Sequence, residues 1–125
     1  MLLQDIVDTS RKVAATSARN EKIALLAEAV ARLRGLELPV GVAYLSGVVP
    51  QGAFGVGYAS MRDLPQPAVE STLELLGVDA ELEAASVIVG SGSTATRREI
   101  IDGLFSQATP DEQGFLADLL LGSLR

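Results

Sequence analysis

The chain has 125 residues, a net charge of −6 and a hydrophobic share of 48%, which suffices for one domain with its own core. It contains no cysteine and no histidine, which excludes thiol nucleophiles, imidazole acid–base catalysis and Cys/His metal sites. Because no long apolar run and no secretory leader pattern occur, a cytoplasmic location and no membrane contact are the default expectation.

The first part of the chain predicts two helical segments and one ambiguous run. A short amphipathic start at residues 2–7 is expected to break at Thr9 and Ser10. A helix over residues 19–34 follows, and we expect its apolar stripe to lie in the core: Ile23, Leu26, Ala27, Val30 and Leu33. The apolar run at 40–49 fits a strand or a buried helix, and periodicity does not decide between them.

The second part predicts several short elements. A helix over 57–64 is expected to end before Pro65, and two short helices over 70–76 and 80–88 to be separated at Gly77. Residues 87–89 look like a strand that enters a glycine-rich turn, after which a helix is expected over 94–107. A last helix is predicted by a capping box, with Thr109 as N-cap, Pro110 at its first position and Glu112 three residues on, and by Gly122 at its end.

The acidic charge is concentrated in one segment. Residues 63–89 carry six acids and no base, which leaves ten acids to balance ten bases elsewhere. Basic residues cluster early and again after the glycine turn: Arg11, Lys12, Arg19, Lys22, Arg97 and Arg98. If the fold brings both groups to one face, that face suits phosphates; alternatively, each group is an ordinary solvated helix surface.

The glycine turn itself allows more than one interpretation. Gly90, Gly92 and Ala95 meet the G-x-G-x-x-G/A spacing, but the strands of a dinucleotide-binding unit and the Gly-Lys pair of a P-loop are missing. What remains is a helix N-terminus whose free N–H groups, with neighbouring hydroxyls and arginines, suit a phosphate. The alternative is a helix start with a flexible turn and two solvated arginines.

Three segments, in order along the chain, resemble the N-terminal DNA-binding region of ATP-dependent DNA ligases. They are VAATSARNEK at 13–22, YLSGVVPQGAFGVG at 44–57 and GSGSTATRREIIDGLFSQATPDEQGFLADLLLGSLR at 90–125. The resemblance implies an all-α fold, a compact bundle of six to eight short helices, and therefore a helix at 40–49. It also implies that residues 1–125 form one DNA-binding domain, with the adenylation and OB-fold domains lying outside this chain.

The resemblance further implies binding to nicked double-stranded DNA across the minor groove, largely through phosphates and independent of base sequence. The positions that match the family's DNA contacts are Ser17, Arg19, Lys22, Gly92, Ser93 and Arg97, with Gln51 and Gly52 as further candidates. We expect a monomer whose other partners are the catalytic domains of the same parent chain.

One departure from the ligase pattern bears on catalysis. Neither Lys12 nor Lys22 stands in the Lys-x-Asp-Gly sequence that accepts AMP, so this chain is expected to have no catalytic residue, metal site or cofactor of its own. ATP and Mg²⁺ are expected for the parent enzyme. Two other functions stay open from the residues alone: a helical protein–protein interaction module that uses the acidic 63–89 segment, and a nucleotide-binding enzyme built on 90–95.

Overall fold

The computed structural model describes residues 1–52 and 61–123. Within these ranges the chain is all-α, as expected, and forms six helices with a single isolated β-bridge between Leu2 and Glu74. The helices are α1 (Leu3–Ala14), α2 (Arg19–Arg32), α3 (Glu37–Leu45), α4 (Leu75–Ser86), α5 (Ser93–Ser106) and α6 (Pro110–Leu121).

The first helix is longer than predicted. α1 continues through Thr9 and Ser10, so the expected break there is wrong. Leu3, Ile6 and Val7 are buried against the other helices. Because packing of an apolar face supplies most of a helix's stability, it outweighs the modest intrinsic cost of two hydroxyl residues.

The bounds of α2 agree with the prediction, but the side that faces the core does not. Ile23 is 53% exposed, Val30 is 36% exposed and Ala27 is exposed as well, so the expected core stripe is wrong for these three residues. The helix packs on α1 and α3 through buried Ala29, and Leu33 is buried at its C-cap. A stripe of periodic apolar residues indicates a helix, but it does not fix which part of that stripe another element covers.

The ambiguous run forms a helix, which confirms what the family resemblance implied. α3 covers its first part, with Val40 and Tyr44 buried. Gly41 allows this helix to approach α2 closely, because a Cβ atom there would lie 2.6 Å from Cδ1 of Leu33. A side chain at this position would therefore require the buried Leu33 side chain to move.

The region predicted as two short helices contains one. α4 runs without interruption through Gly77, and the residues before it are extended rather than helical. Extended backbone is favoured there because Leu3 N–H donates to Leu73 O at 2.8 Å and Leu75 N–H donates to Met1 O at 2.9 Å. The helix predicted over 57–64 lies mostly outside the described residues.

The last two helices match their predictions closely. α5 begins one residue before the expected start. Residues 87–89 were predicted as a strand, but Val87 is the C-cap of α4 and the next two residues have no regular structure. At α6, Glu112 N–H donates to Thr109 Oγ1 at 3.2 Å and Thr109 N–H donates to Glu112 Oε1 at 2.8 Å, which is the predicted capping box. Gly122 ends the helix at φ +71°. The largest side chains of the shared core are Tyr44, Phe105, Leu3, Ile6, Leu75, Leu82, Leu116 and Leu119.

Candidate nucleic-acid interface

The start of α2 carries three of the predicted contact residues. Ser17 and Arg19 are exposed, and Lys22 is half-buried. Among the described residues, the side chains of Arg19 and Lys22 have no hydrogen-bond or ion-pair partner. Their charges are therefore available to an external anion, unlike the charges of residues that already form ion pairs within the protein.

Two other basic residues, Arg11 of the early cluster and Arg32 at the end of α2, are paired within the protein. Arg11 donates to both carboxylate oxygens of Asp111 at 2.9 Å, a bidentate pair that joins α1 to α6. Arg32 lies 3.3 Å from Asp5, so it joins α2 to α1. These pairs are partly exposed and neutralise part of the positive charge that the sequence places near α2.

The start of α5 has the geometry of an anion site. Gly92, the N-cap, adopts φ +77° and supplies no side chain to cap the helix. Ser93 N–H donates to Gly90 O at 3.1 Å and Thr96 N–H to Gly92 O at 3.2 Å. The N–H groups of Thr94 and Ala95 find no acceptor in the described part of the chain. Free N–H groups at the positive end of a helix bind phosphate or carboxylate.

The sequence predicted free N–H groups at this helix start, although neither Thr94 nor Ala95 was among the predicted contact positions. The signal that could have identified them is the glycine at the N-cap. Because glycine lacks a side-chain acceptor, the first N–H groups of the helix stay available.

The two arginines of α5 are both bonded within the protein. Arg97 is half-buried; its Nη2 donates to Ile88 O at 2.8 Å and its Nε to Ala85 O at 3.4 Å. Arg98 donates through Nε to Asp102 at 3.0 Å and through Nη2 to Asp63 O at 3.2 Å. Arg97 therefore connects the start of α5 to the end of α4.

Gln51 and Gly52 lie near the acidic segment and apart from the basic residues. Gln51 Nε2 donates to Asp79 Oδ1 at 2.8 Å and to Glu83 Oε1 at 3.2 Å, both on α4. Gly52 is exposed at φ +71°. Gln51 thus holds the loop after α3 against α4, and the carboxylates beside it disfavour a phosphate there.

The predicted residues therefore occupy three places in the fold. α2 packs mainly on α1 and α3, α5 packs mainly on α4, and Gln51 bridges from the end of α3 to α4. Two of these places, the starts of α2 and α5, offer groups that suit phosphates. In the part of the chain that the structure describes, no three acidic side chains converge on a possible metal position, and no helix is long and apolar enough to cross a membrane.

Comparison with known proteins identifies the family. The family described as "DNA ligase N terminus" matches residues 55–125, which include α4, α5 and α6. The chain belongs to this family. The resemblance to ligases seen in the sequence is therefore confirmed, together with the helical fold that it implied.

Relatives of this ligase N-terminal domain cover all of its length. It is 47% identical over 125 residues to a probable DNA ligase of Streptomyces griseus, of which it covers 24%. It is 44% identical over 126 residues to a probable DNA ligase of Rhodococcus opacus and over 127 residues to DNA ligase B of Mycobacterium tuberculosis, covering 25% of each. The chain thus spans about a quarter of these relatives. No solved structure gives a significant match.

Proposed function

We propose that this domain binds nicked duplex DNA, independent of base sequence, through phosphates that border the minor groove. It does so as the front module of an ATP-dependent DNA ligase that seals nicks in replication, repair or recombination. Domains outside this chain supply the adenylated lysine and use ATP and Mg²⁺. The observation that carries the proposal is the start of α5, where two N–H groups have no acceptor among the residues that the structure describes. This helix lies within the segment that the family matches.

The chemistry of the exposed groups supports phosphate recognition over base reading. A ligase must accept any sequence, and phosphate contacts fix position without carrying sequence information. The start of α5 offers N–H groups and the Ser93 and Thr94 hydroxyls, and the start of α2 offers the charges of Arg19 and Lys22. An interaction module based on the acidic segment is not favoured, because the matched family is that of ligases.

A paired substitution at Ala95 tests this site. Ala95 is exposed at the third position of α5, so a new side chain does not disturb the core. Ala95→Glu places a carboxylate where a phosphate is proposed, and a charge of this sign stabilises a helix start by about 0.3–1 kcal/mol. We expect affinity for a nicked duplex to fall roughly fivefold or more, because like charges about 5 Å apart repel by about 1 kcal/mol even in bulk water.

The matched control is Ala95→Gln, which has the same length and no charge. Binding is measured by fluorescence anisotropy on a labelled nicked duplex over a salt series, and stability by urea unfolding. The expected result is weaker binding by a protein that is at least as stable, with the glutamine variant close to the native protein. Equal binding by the glutamate and glutamine variants would place the DNA elsewhere on the domain.

A further inference from the structure

Arg97 lies where the end of α4 meets the start of α5. Its two donated hydrogen bonds reach Ala85 O and Ile88 O, which flank Val87, the C-cap of α4. Carbonyl groups at the end of a helix lack partners within the helix and carry its negative partial charge. The forked guanidinium of Arg97 reaches both Ile88 O and Ala85 O, and Ala85 O also accepts from Ile88 N–H at 3.4 Å.

The same contacts fix the turn between the two helices. Ile88 O has Arg97 as its donor among the described residues, and Ile88 directly precedes the turn at 89–92. Arg97 stands five residues after Gly92, the N-cap of α5. Its side chain therefore spans the turn from α5 to α4 and fixes the orientation of the first turn of α5 relative to the end of α4.

We infer that Arg97 is a positioning residue of the DNA-binding turn, acting through the carbonyls of α4 rather than by contact with a phosphate. The inference rests on the proposed function. Since Arg98 is also bonded within the protein, the start of α5 recognises phosphate through the N–H groups of Thr94 and Ala95. The cations that displace counterions from DNA are then those of α2, Arg19 first among them.

Salt dependence separates a positioning role from a phosphate contact. Each phosphate that a protein cation neutralises adds about 0.9 to the slope of log K against log salt on B-DNA. Arg97→Gln, Arg97→Lys and Arg19→Ala are compared with the native chain on one nicked duplex, with Arg98→Gln as the matched control on the same helix. Amide hydrogen exchange of Ser93 and Thr96, whose N–H groups donate to Gly90 O and Gly92 O, reports the order of the turn without DNA.

We expect both Arg97 variants to bind roughly tenfold more weakly at every salt concentration, the equivalent of one charged hydrogen bond, with the native slope unchanged. Exchange at Ser93 and Thr96 should accelerate in these variants and stay native in Arg98→Gln. Arg19→Ala should instead lower the slope by about 0.9 with native exchange.

Two results would overturn the inference. One is a slope that falls by about 0.9 in Arg97→Gln and is restored in Arg97→Lys. The slope depends on the charge at position 97 in this way only if that charge neutralises a phosphate. The other is native affinity and native exchange in both variants, which would show that Arg97 positions nothing. Failure of the proposed function is distinguishable, since it appears as absence of binding by the native chain.

Discussion

At the scale of single residues, Tyr44 places a polar atom in the core without a partner. The residue is 0% exposed, and its hydroxyl forms no hydrogen bond with any described residue. Burial, and secondarily the charge of Asp79, raises the pKa of Tyr44, so the hydroxyl stays protonated through neutral pH. A buried hydroxyl without a partner costs about 1–3 kcal/mol relative to its solvated state.

We therefore expect Tyr44→Phe to raise the free energy of unfolding by about 1 kcal/mol, because it removes that cost and keeps the ring. Urea unfolding at neutral pH measures the change. Tyr44→Leu is the control, and we expect it to lose stability because it also leaves a cavity. A Tyr44→Phe protein less stable than the native one would show that the hydroxyl has a partner in solution.

The same scale shows which site residues a sequence can predict. Thr109 and Glu112 were predicted as a capping pair because the two residues are only three positions apart, so local sequence is enough to predict their contact. Arg97 and Gln51 were predicted to contact DNA, yet Arg97 also bonds to the end of α4, and Gln51 donates to carboxylates 28 and 32 residues away. Such partners are set by the packing of helices, which local sequence does not encode.

At the scale of elements, local signals predicted some helices and missed others. α5 and α6 have clear starts and stops, and their predicted bounds agree with the structure. The prediction divided α4 at Gly77, but the helix continues through this residue. Glycine costs only about 1 kcal/mol in a helix, which is less than the burial of Leu75, Val78 and Leu82 provides. The helix at 40–49 followed from family resemblance, since an apolar run of that length suits a strand equally well.

The exposure of α2 gives a prediction about packing. Because Ile23 is 53% exposed, we expect Ile23→Gln to change the free energy of unfolding by no more than about 0.5 kcal/mol. Leu82→Ala on α4, at 0% exposure, should cost about 2–5 kcal/mol. Urea unfolding of both variants tests the contrast. A loss of several kcal/mol in Ile23→Gln would mean that the originally predicted stripe is core after all.

At the scale of the whole molecule, the first residue of the chain joins three helices. The Met1 ammonium pairs with Glu37 at the start of α3, and the Met1 carbonyl accepts from Leu75 N–H at the start of α4. Met1 itself leads directly into α1. The side chain of Met1 is 4% exposed and that of Glu37 is 15% exposed. One ion pair and one backbone hydrogen bond of Met1 thus join elements far apart in sequence, and no periodicity predicts either contact.

This arrangement makes stability depend on pH and on the free amine. Hydrogen bonds from the Met1 ammonium and then from Arg34 N–H lower the pKa of Glu37 below its ordinary value of 4.5. A lowered pKa means that the stabilisation is fully present above pH 4.5 and is lost as the pH falls below it, through the pKa of the folded state.

We expect acetylation of the N-terminus to lower the urea midpoint at pH 7 and to flatten its fall below pH 4.5. Glu37→Gln should do the same, and acetylation should add little in that background. If acetylated and native proteins unfold at the same midpoint across this range, the ion pair between Met1 and Glu37 does not stabilise the fold in solution.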